Sequence, residues 1–202
     1  MKKAIFKYTN DKNEVIVSLV TVVKAMSNDT YKIEGDDTHY YVDKSQLQEF
    51  KGVLSLTGKI RKINVSESEL RELNCRNVEA MALKISRCPA LKSLNGAPTN
   101  VEVLTAQYES LTDLDYRYGN VGMLDIVGTK IESLKTCPKV KMLRVDDLCL
   151  PKHWLYLVGR CEKVIVIMAN GDVENVTFLP TVFRAKLELI QKGINSVSTL
   201  GD

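Results

Sequence analysis

Histidine is almost missing from this chain: His39 and His153 are the only two in 202 residues. That scarcity argues against a metal centre built on imidazole ligands. Cysteine is sparse, odd in number and scattered, at Cys75, Cys88, Cys137, Cys149 and Cys161, with no CxxC pair. Neither a disulfide framework nor a zinc site suits that spacing, so the thiols are expected to be buried and free in a reducing compartment. Charge of one sign is lacking too. The net charge is only +3 over the whole chain, where a dedicated nucleic-acid binder usually concentrates far more. No basic start is followed by an apolar signal region. The apolar run Val15–Val23 is interrupted by Ser18 and Thr21 and is too short to span a bilayer. No membrane association and a cytoplasmic location are therefore expected. Also missing are GxGxxG, a Walker loop, GxSxG and HExxH. Asp146 and Asp147 are adjacent, and neighbours on a strand point to opposite faces, so they make a poor metal pair. Asp113 and Asp115 read as a solvated turn, and His153 beside Trp154 as an exposed helix residue. No catalytic residue, cofactor or metal is expected, and the chain is not expected to be an enzyme.

What is present is a repeat. Val101, Leu104 and Ala106 are followed by Leu111 and Leu114. Val121, Leu124 and Ile126 are followed by Ile131 and Leu134, and Val140, Leu143 and Val145 open a third copy. The starts lie 20 and then 19 residues apart. Such a period marks a solenoid, whose coils bury their apolar faces only by stacking. Weaker copies begin at Ile60, Ile63 and Val65, at Val78, Met81 and Leu83, and at Val164, Ile167 and Ala169. Proline stands at the corners, in Cys88-Pro89-Ala90-Leu91, Ala97-Pro98-Thr99-Asn100-Val101 and Cys137-Pro138-Lys139-Val140, where its missing donor does no harm.

The first fifty residues have another pattern. Ala4–Tyr8, Val15–Ala25, Tyr31–Glu34 and Thr38–Val42 are β-rich and separated by polar turns, which predicts an antiparallel meander. Downstream, Pro151–Gly159 has the look of a short helix. Thr181–Lys192 predicts another, with Val182, Phe183, Leu187 and Ile190 at helical spacing.

Lines such as LKSLNGAPTNVEVL and IESLKTCPKVKML resemble irregular bacterial and phage-type leucine-rich-repeat proteins over about 53–145, extending to 170 with the last copy. The chain departs from that family at the turn after the strand, where Glu109 and Thr129 stand in place of asparagine. The segment Tyr31-Lys32-Ile33-Glu34-Gly35-Asp36-Asp37, with Tyr40-Tyr41-Val42-Asp43-Lys44-Ser45-Gln46-Leu47, resembles an SH3-like or Tudor-like barrel. The resemblances imply an α/β solenoid of leucine-rich-repeat type with a small antiparallel β domain before it and a capping helix after it. The expected divisions are a barrel or meander at 1–50, the solenoid at 53–170 and a cap at 171–202 with its helix at about 181–192.

Function is then expected on the strand face that points away from the core. Alternation places there Lys62, Asn64 and Ser66; Ala80, Ala82 and Lys84; Val103, Thr105 and Gln107; Met123, Asp125 and Val127; Met142, Arg144 and Asp146; and Val166, Met168 and Asn170. Val103, Met123, Met142 and Val166 make an apolar row with Thr105, Asp125 and Arg144 beside it. Such a strip suits a protein partner. It equally suits the protein's own terminal segments or a homodimer mate. Tyr108, Tyr116, Arg117 and Tyr118 follow the strands on turns, where tyrosine and arginine serve as interface anchors or as ordinary turn residues. Tyr31, Tyr40 and Tyr41 are groove aromatics if the barrel resemblance holds, and strand residues otherwise. The leading expectation is a non-enzymatic protein–protein interaction module. The phage-type resemblance implies a factor that binds and modulates a host or defence protein. The alternative is nucleic-acid binding through the SH3-like block, with Lys2, Lys3, Lys7, Lys59, Arg61 and Lys62 on the phosphate backbone.

Overall fold

A computed structural model describes residues 2–26, 30–35, 38–107, 110–146, 157, 159–167 and 170–177. The opening residues form the expected antiparallel set. β1 (Lys2–Thr9) and β2 (Val15–Ala25) make a hairpin. Asn10 closes it, its side-chain oxygen accepting from the amides of Lys12 and Glu14 at 3.1 and 2.9 Å. β3 (Thr30–Gly35) pairs with β2, and β4 (Thr38–Asp43) pairs with β3. A 3-10 turn at Lys44–Gln46 leads into β5 (Leu47–Glu49), which returns to β1. Ala4, Phe6, Val20, Ile33 and Val42 form a small core of their own here.

The rest is a stack of parallel strands. β7 (Gly58–Ser66), β9 (Val78–Ser86), β10 (Asn100–Gln107), β11 (Asn120–Asp125), β12 (Lys139–Asp146) and β13 (Cys161–Ile167) lie side by side in that order, and β14 (Val173–Thr177) closes antiparallel on β13. β2 runs parallel beside β7, so one twelve-stranded sheet joins the antiparallel set to the stack. On the opposite wall β6 (Val53–Ser55) pairs with β8 (Glu72–Asn74).

The expected α/β architecture is corrected to a nearly all-β β-solenoid: no described residue is in an α-helix. The reason is how the return segments satisfy their backbones. Their amides bond to the adjacent coil and not to themselves, as in Leu94 N–H to Leu114 O at 2.9 Å and Tyr116 N–H to Thr136 O at 3.2 Å. Turns such as Ala97 N–H to Leu94 O and Cys137 N–H to Leu134 O, both 3.0 Å, then end each return. A coil of about twenty residues that spends eight on a strand leaves little length for a helix, which needs several turns to be stable. The expected helix at 181–192 lies outside the described residues, as does most of Pro151–Gly159. No helix among the described residues is long and apolar enough to cross a membrane.

The core lies between the two walls. Leu54, Leu73, Leu94, Leu114 and Leu134 stack on the return side, and Ile63, Leu83, Leu104, Leu124 and Leu143 on the strand side, all buried. Packing is tight enough that Gly96, at φ +87°, has no room for a methyl group: a Cβ would come within 1.7 Å of the Leu73 carbonyl oxygen.

The three-then-two spacing of the inward residues has a structural cause. Val101 pairs with Val121, but the next pair is Val103 with Met123. Pairing steps over Arg61, Met81, Glu102, Gly122, Lys141 and Glu162, one residue in each strand. One extra residue shifts the strand's alternation, as a bulge does. Because every coil carries the shift at the same rung, the strands stay in register.

That register also corrects two of the expected copies. In β9 the inward residues are Ala80, Leu83 and Ile85, which pair with Val101, Leu104 and Ala106. Ala80 therefore belongs to the core, and Ser86 takes its place on the outer face. In β13 the inward residues are Cys161, Val164 and Val166, beside Val140, Leu143 and Val145. Val166 is core, and Lys163, Ile165 and Ile167 face outward.

Candidate functional site

The outward face is read directly from the pairing. Its first row is Lys62, Ala82, Val103, Met123, Met142 and Lys163. The four apolar residues in the middle are half-buried by their row neighbours, and a lysine stands at each end. Methionine's flexible thioether suits such a row to partners of irregular shape. Thr105, Asp125, Arg144 and Ile165 follow in the second row.

The polar members of this face are already engaged with one another. Asp125 is 2% exposed although it points away from the core. Its carboxylate accepts from the Arg144 guanidinium, from the Gln107 amide at 2.9 Å and from the Val127 backbone amide at 3.2 Å. A carboxylate buried to that extent is stable only when so supplied with donors. Asp146 accepts from the Gly128 amide and so holds the turn after β11. Of the residues expected to meet a partner, Val103, Thr105, Gln107, Met123, Met142, Arg144 and Asp146 are half-buried on this face, whereas Asp125 is a buried clamp.

The tyrosines divide differently. Tyr116 is an inward residue with no exposed surface, its hydroxyl donating to the Pro98 carbonyl. Burial pushes its phenol pKa upward, with the neighbouring Tyr118 adding to the effect. Tyr118 meets it edge-on at 5.2 Å, accepts from the Gly96 amide at 2.8 Å and donates to the Ala97 carbonyl at 3.2 Å. The Arg76 guanidinium lies 4.2 Å from the centre of the Tyr118 ring. The pair therefore braces adjacent coils, which corrects its expected placement on an exposed rim. Tyr108 lies outside the described residues. Tyr31 packs against the small core of the antiparallel set, Tyr41 is 66% exposed, and only the backbone of Tyr40 is described. Tyr31 and Tyr41 are paired to Val42 and Lys32 respectively and do not converge on one rung.

A groove that the repeat pattern did not suggest runs across the beginnings of the same strands. It has a volume of about 880 Å³ and is lined by the strand starts at Ile60, Ala80, Val101 and Val121 and by Lys59, Arg61, Glu79, Glu102 and Lys141. A second cleft, about 830 Å³, lies where the antiparallel set meets the first coil and includes Lys2, Lys3, Lys51, Arg71 and Arg87 with Glu67 and Glu69.

The thiols among the described residues are not activated. Cys75, Cys88, Cys137 and Cys161 are buried free thiols. Burial pushes the thiol pKa of Cys75 up to about 11 and that of Cys161 to about 12, and raises that of Cys137 also. Thiols so shifted are poor nucleophiles. Among the described residues no group of three or more histidine, cysteine, aspartate or glutamate side chains could hold a metal ion.

The fold and the site define a β-solenoid with a half-apolar sheet face. Comparison takes the matter no further: the chain matches no protein-family model, and searches of curated proteins and of solved structures return no significant similarity.

Proposed function

We propose that the chain is a non-catalytic, cytoplasmic protein-binding module whose contact surface is the outward sheet face. The observation that carries this reading is the row Ala82–Val103–Met123–Met142, four apolar side chains on adjacent rungs that are only half covered. Around them the charges are satisfied internally at Asp125, so the face offers apolar contact on a rigid base and not a reactive group. Buried apolar centres with polar margins are how protein interfaces are built. The likeness to irregular leucine-rich-repeat proteins of bacteria and phages rests on the V-x-x-L-x-L phrase, and extends the proposal to a factor that modulates a host or defence protein.

The test uses Met123→Lys together with Met142→Glu. The two side chains are register partners, so the new charges face each other and leave the fold intact. Arg144 is left untouched because it neutralises Asp125. The double variant is expected to keep its melting temperature within a few degrees while losing the partner that the parent chain captures from cells of its source. Equal capture by both proteins overturns the assignment to this face.

The cleft holding Lys2, Lys3, Lys51, Arg71 and Arg87 favours a second reading, nucleic-acid binding. Against it, Lys2 and Lys51 both pair with Glu49, and Arg87 pairs with Glu67. A gel-shift titration decides: retention of DNA or RNA at low salt that disappears at moderate salt supports it.

A further inference from the structure

The groove across the strand beginnings has features that the sheet face lacks. Its position follows from the extra residue of each strand, since Arg61, Met81, Glu102, Gly122 and Lys141 all belong to that stepped-over row and all line it. Gly122 lines it where the backbones of β10 and β11 approach closely. A Cβ there would meet the Glu102 carbonyl oxygen at 2.5 Å, so this rung has no side chain between Glu102 on one neighbouring strand and Lys141 on the other. The groove spans five strands, β7 to β12. At about 4.8 Å per strand spacing it is about 19 Å long, the length of about six residues of extended chain.

Its charges are ordered along that length. The Arg61 guanidinium pairs with Glu14 at 3.2 Å and closes one end. Lys59, Glu79, Glu102 and Lys141 have no ion pair among the described residues. Lys59 stands on β7, the two glutamates on β9 and β10, and Lys141 on β12, so an acidic centre is flanked by a lysine on either side. Between them Asn100 and Asn120, 3.4 Å apart, offer amide donors and acceptors to a peptide backbone.

We propose that this groove binds an extended peptide segment of a partner protein, with a basic side chain over Glu79 and Glu102 and acidic side chains toward Lys59 and Lys141. The inference rests on the protein-binding reading and adds to it the chemistry of the bound segment. The strand backbones and the stems of the lining side chains supply contact area, and the ordered charges supply direction and register.

The experiment selects a random heptapeptide phage library on the immobilised full-length chain and measures the enriched peptides by fluorescence polarisation. Peptides with a central lysine or arginine and an acidic flank are expected. Their affinity should fall about tenfold in Glu79→Lys/Glu102→Lys, a change of exposed charge only. It should be unchanged in Lys135→Glu, an exposed position beside Leu134 on the return side. Absence of enrichment, enriched peptides without a central cation, or equal binding to the Glu79→Lys/Glu102→Lys chain each overturn the groove. Because the sheet-face variant is tested by partner capture and the groove variant by peptide binding, failure of the sheet face and failure of the groove are told apart.

Discussion

The antiparallel strands at the beginning and the parallel coils that follow share one sheet but are held together differently. In the antiparallel set, successive strands from β1 to β4 pair with one another, and β1 and β2 are buried on both faces. Ile5, Val17 and Leu19 join the long core of the stack, while Ala4, Phe6 and Val20 join the small one. In the stack, the apolar residues are buried on the inward face, and on the outward face side chains reach between coils, as Arg144 does to Asp125. Local pairing and a small core of its own hold one side of the first region, and the core of the stack covers the other. The coils depend on their neighbours, as expected where each repeat cannot bury its own face.

The sharpest way to break that comparison is a pair of core truncations. Leu104→Ala and Ile33→Ala remove side chains of similar size from fully buried sites, one in the stack and one in the small core. Each is expected to cost about 2–5 kcal/mol. Amide hydrogen exchange should separate them, with Leu104→Ala lowering protection along the whole stack and Ile33→Ala mainly in β1 to β4. Equal loss of protection everywhere would mean that the two regions unfold as one unit.

Much of the stack was legible from the residues themselves. The period, and the inward residues of β7, β10, β11 and β12, follow from apolar spacing because burial on one face imposes it. In β9 the phase was lost because Met81 is apolar and Ala80 is small, so Val78, Met81 and Leu83 imitate the phrase that Ala80, Leu83 and Ile85 make. In β13 Val164 and Ile167 imitate it in the same way. Alternation puts Asp125 on the correct face but carries no sign of its burial. Its burial comes from Arg144 at the same phrase position one coil later, a pairing of opposite charges that the repeat alignment does contain. Turn position says nothing of the burial of Tyr116 and partial burial of Tyr118, because a solenoid return can cover a tyrosine whose hydroxyl finds a corner carbonyl. The trace of the groove in hydrophobicity is the three-residue step from Val101 to Leu104, which the stepped-over residue makes and which does not by itself indicate a groove.

A smaller effect sharpens the role of side-chain bracing. Asp125→Ala strands the Arg144 guanidinium and frees the Gln107 amide and the Val127 N–H. A loss of about 2–3 kcal/mol is expected in denaturant titration, because a buried acceptor with charged and neutral donors is removed. The antiparallel set, which has no part in this network, should keep its exchange protection.

The smallest expected effect is one of pH. All five cysteines lie beyond the antiparallel set. Cys75 and Cys161 titrate from an ordinary 9.0 up to about 11 and about 12 when folded, so the folded state holds their protons more tightly than the unfolded state. The resulting stability is fully present below 9.0 and is lost as pH rises from there through the folded values. Melting temperature measured across that alkaline range should fall less steeply for Cys161→Ala than for the parent chain. An identical slope would remove the thiol from the explanation.

The residue that pairing steps over in every strand has one more consequence. Because each coil carries the same offset at the same rung, any coil presents to its neighbours nearly the same pair of edges. Ala80 could sit beside Val121 much as it sits beside Val101. The molecule is thus extensible: a coil is a unit of length that can be inserted or excised in whole numbers. The groove that crosses the strand beginnings would lengthen or shorten by one rung each time, so the size of segment it can read is set by the count of coils.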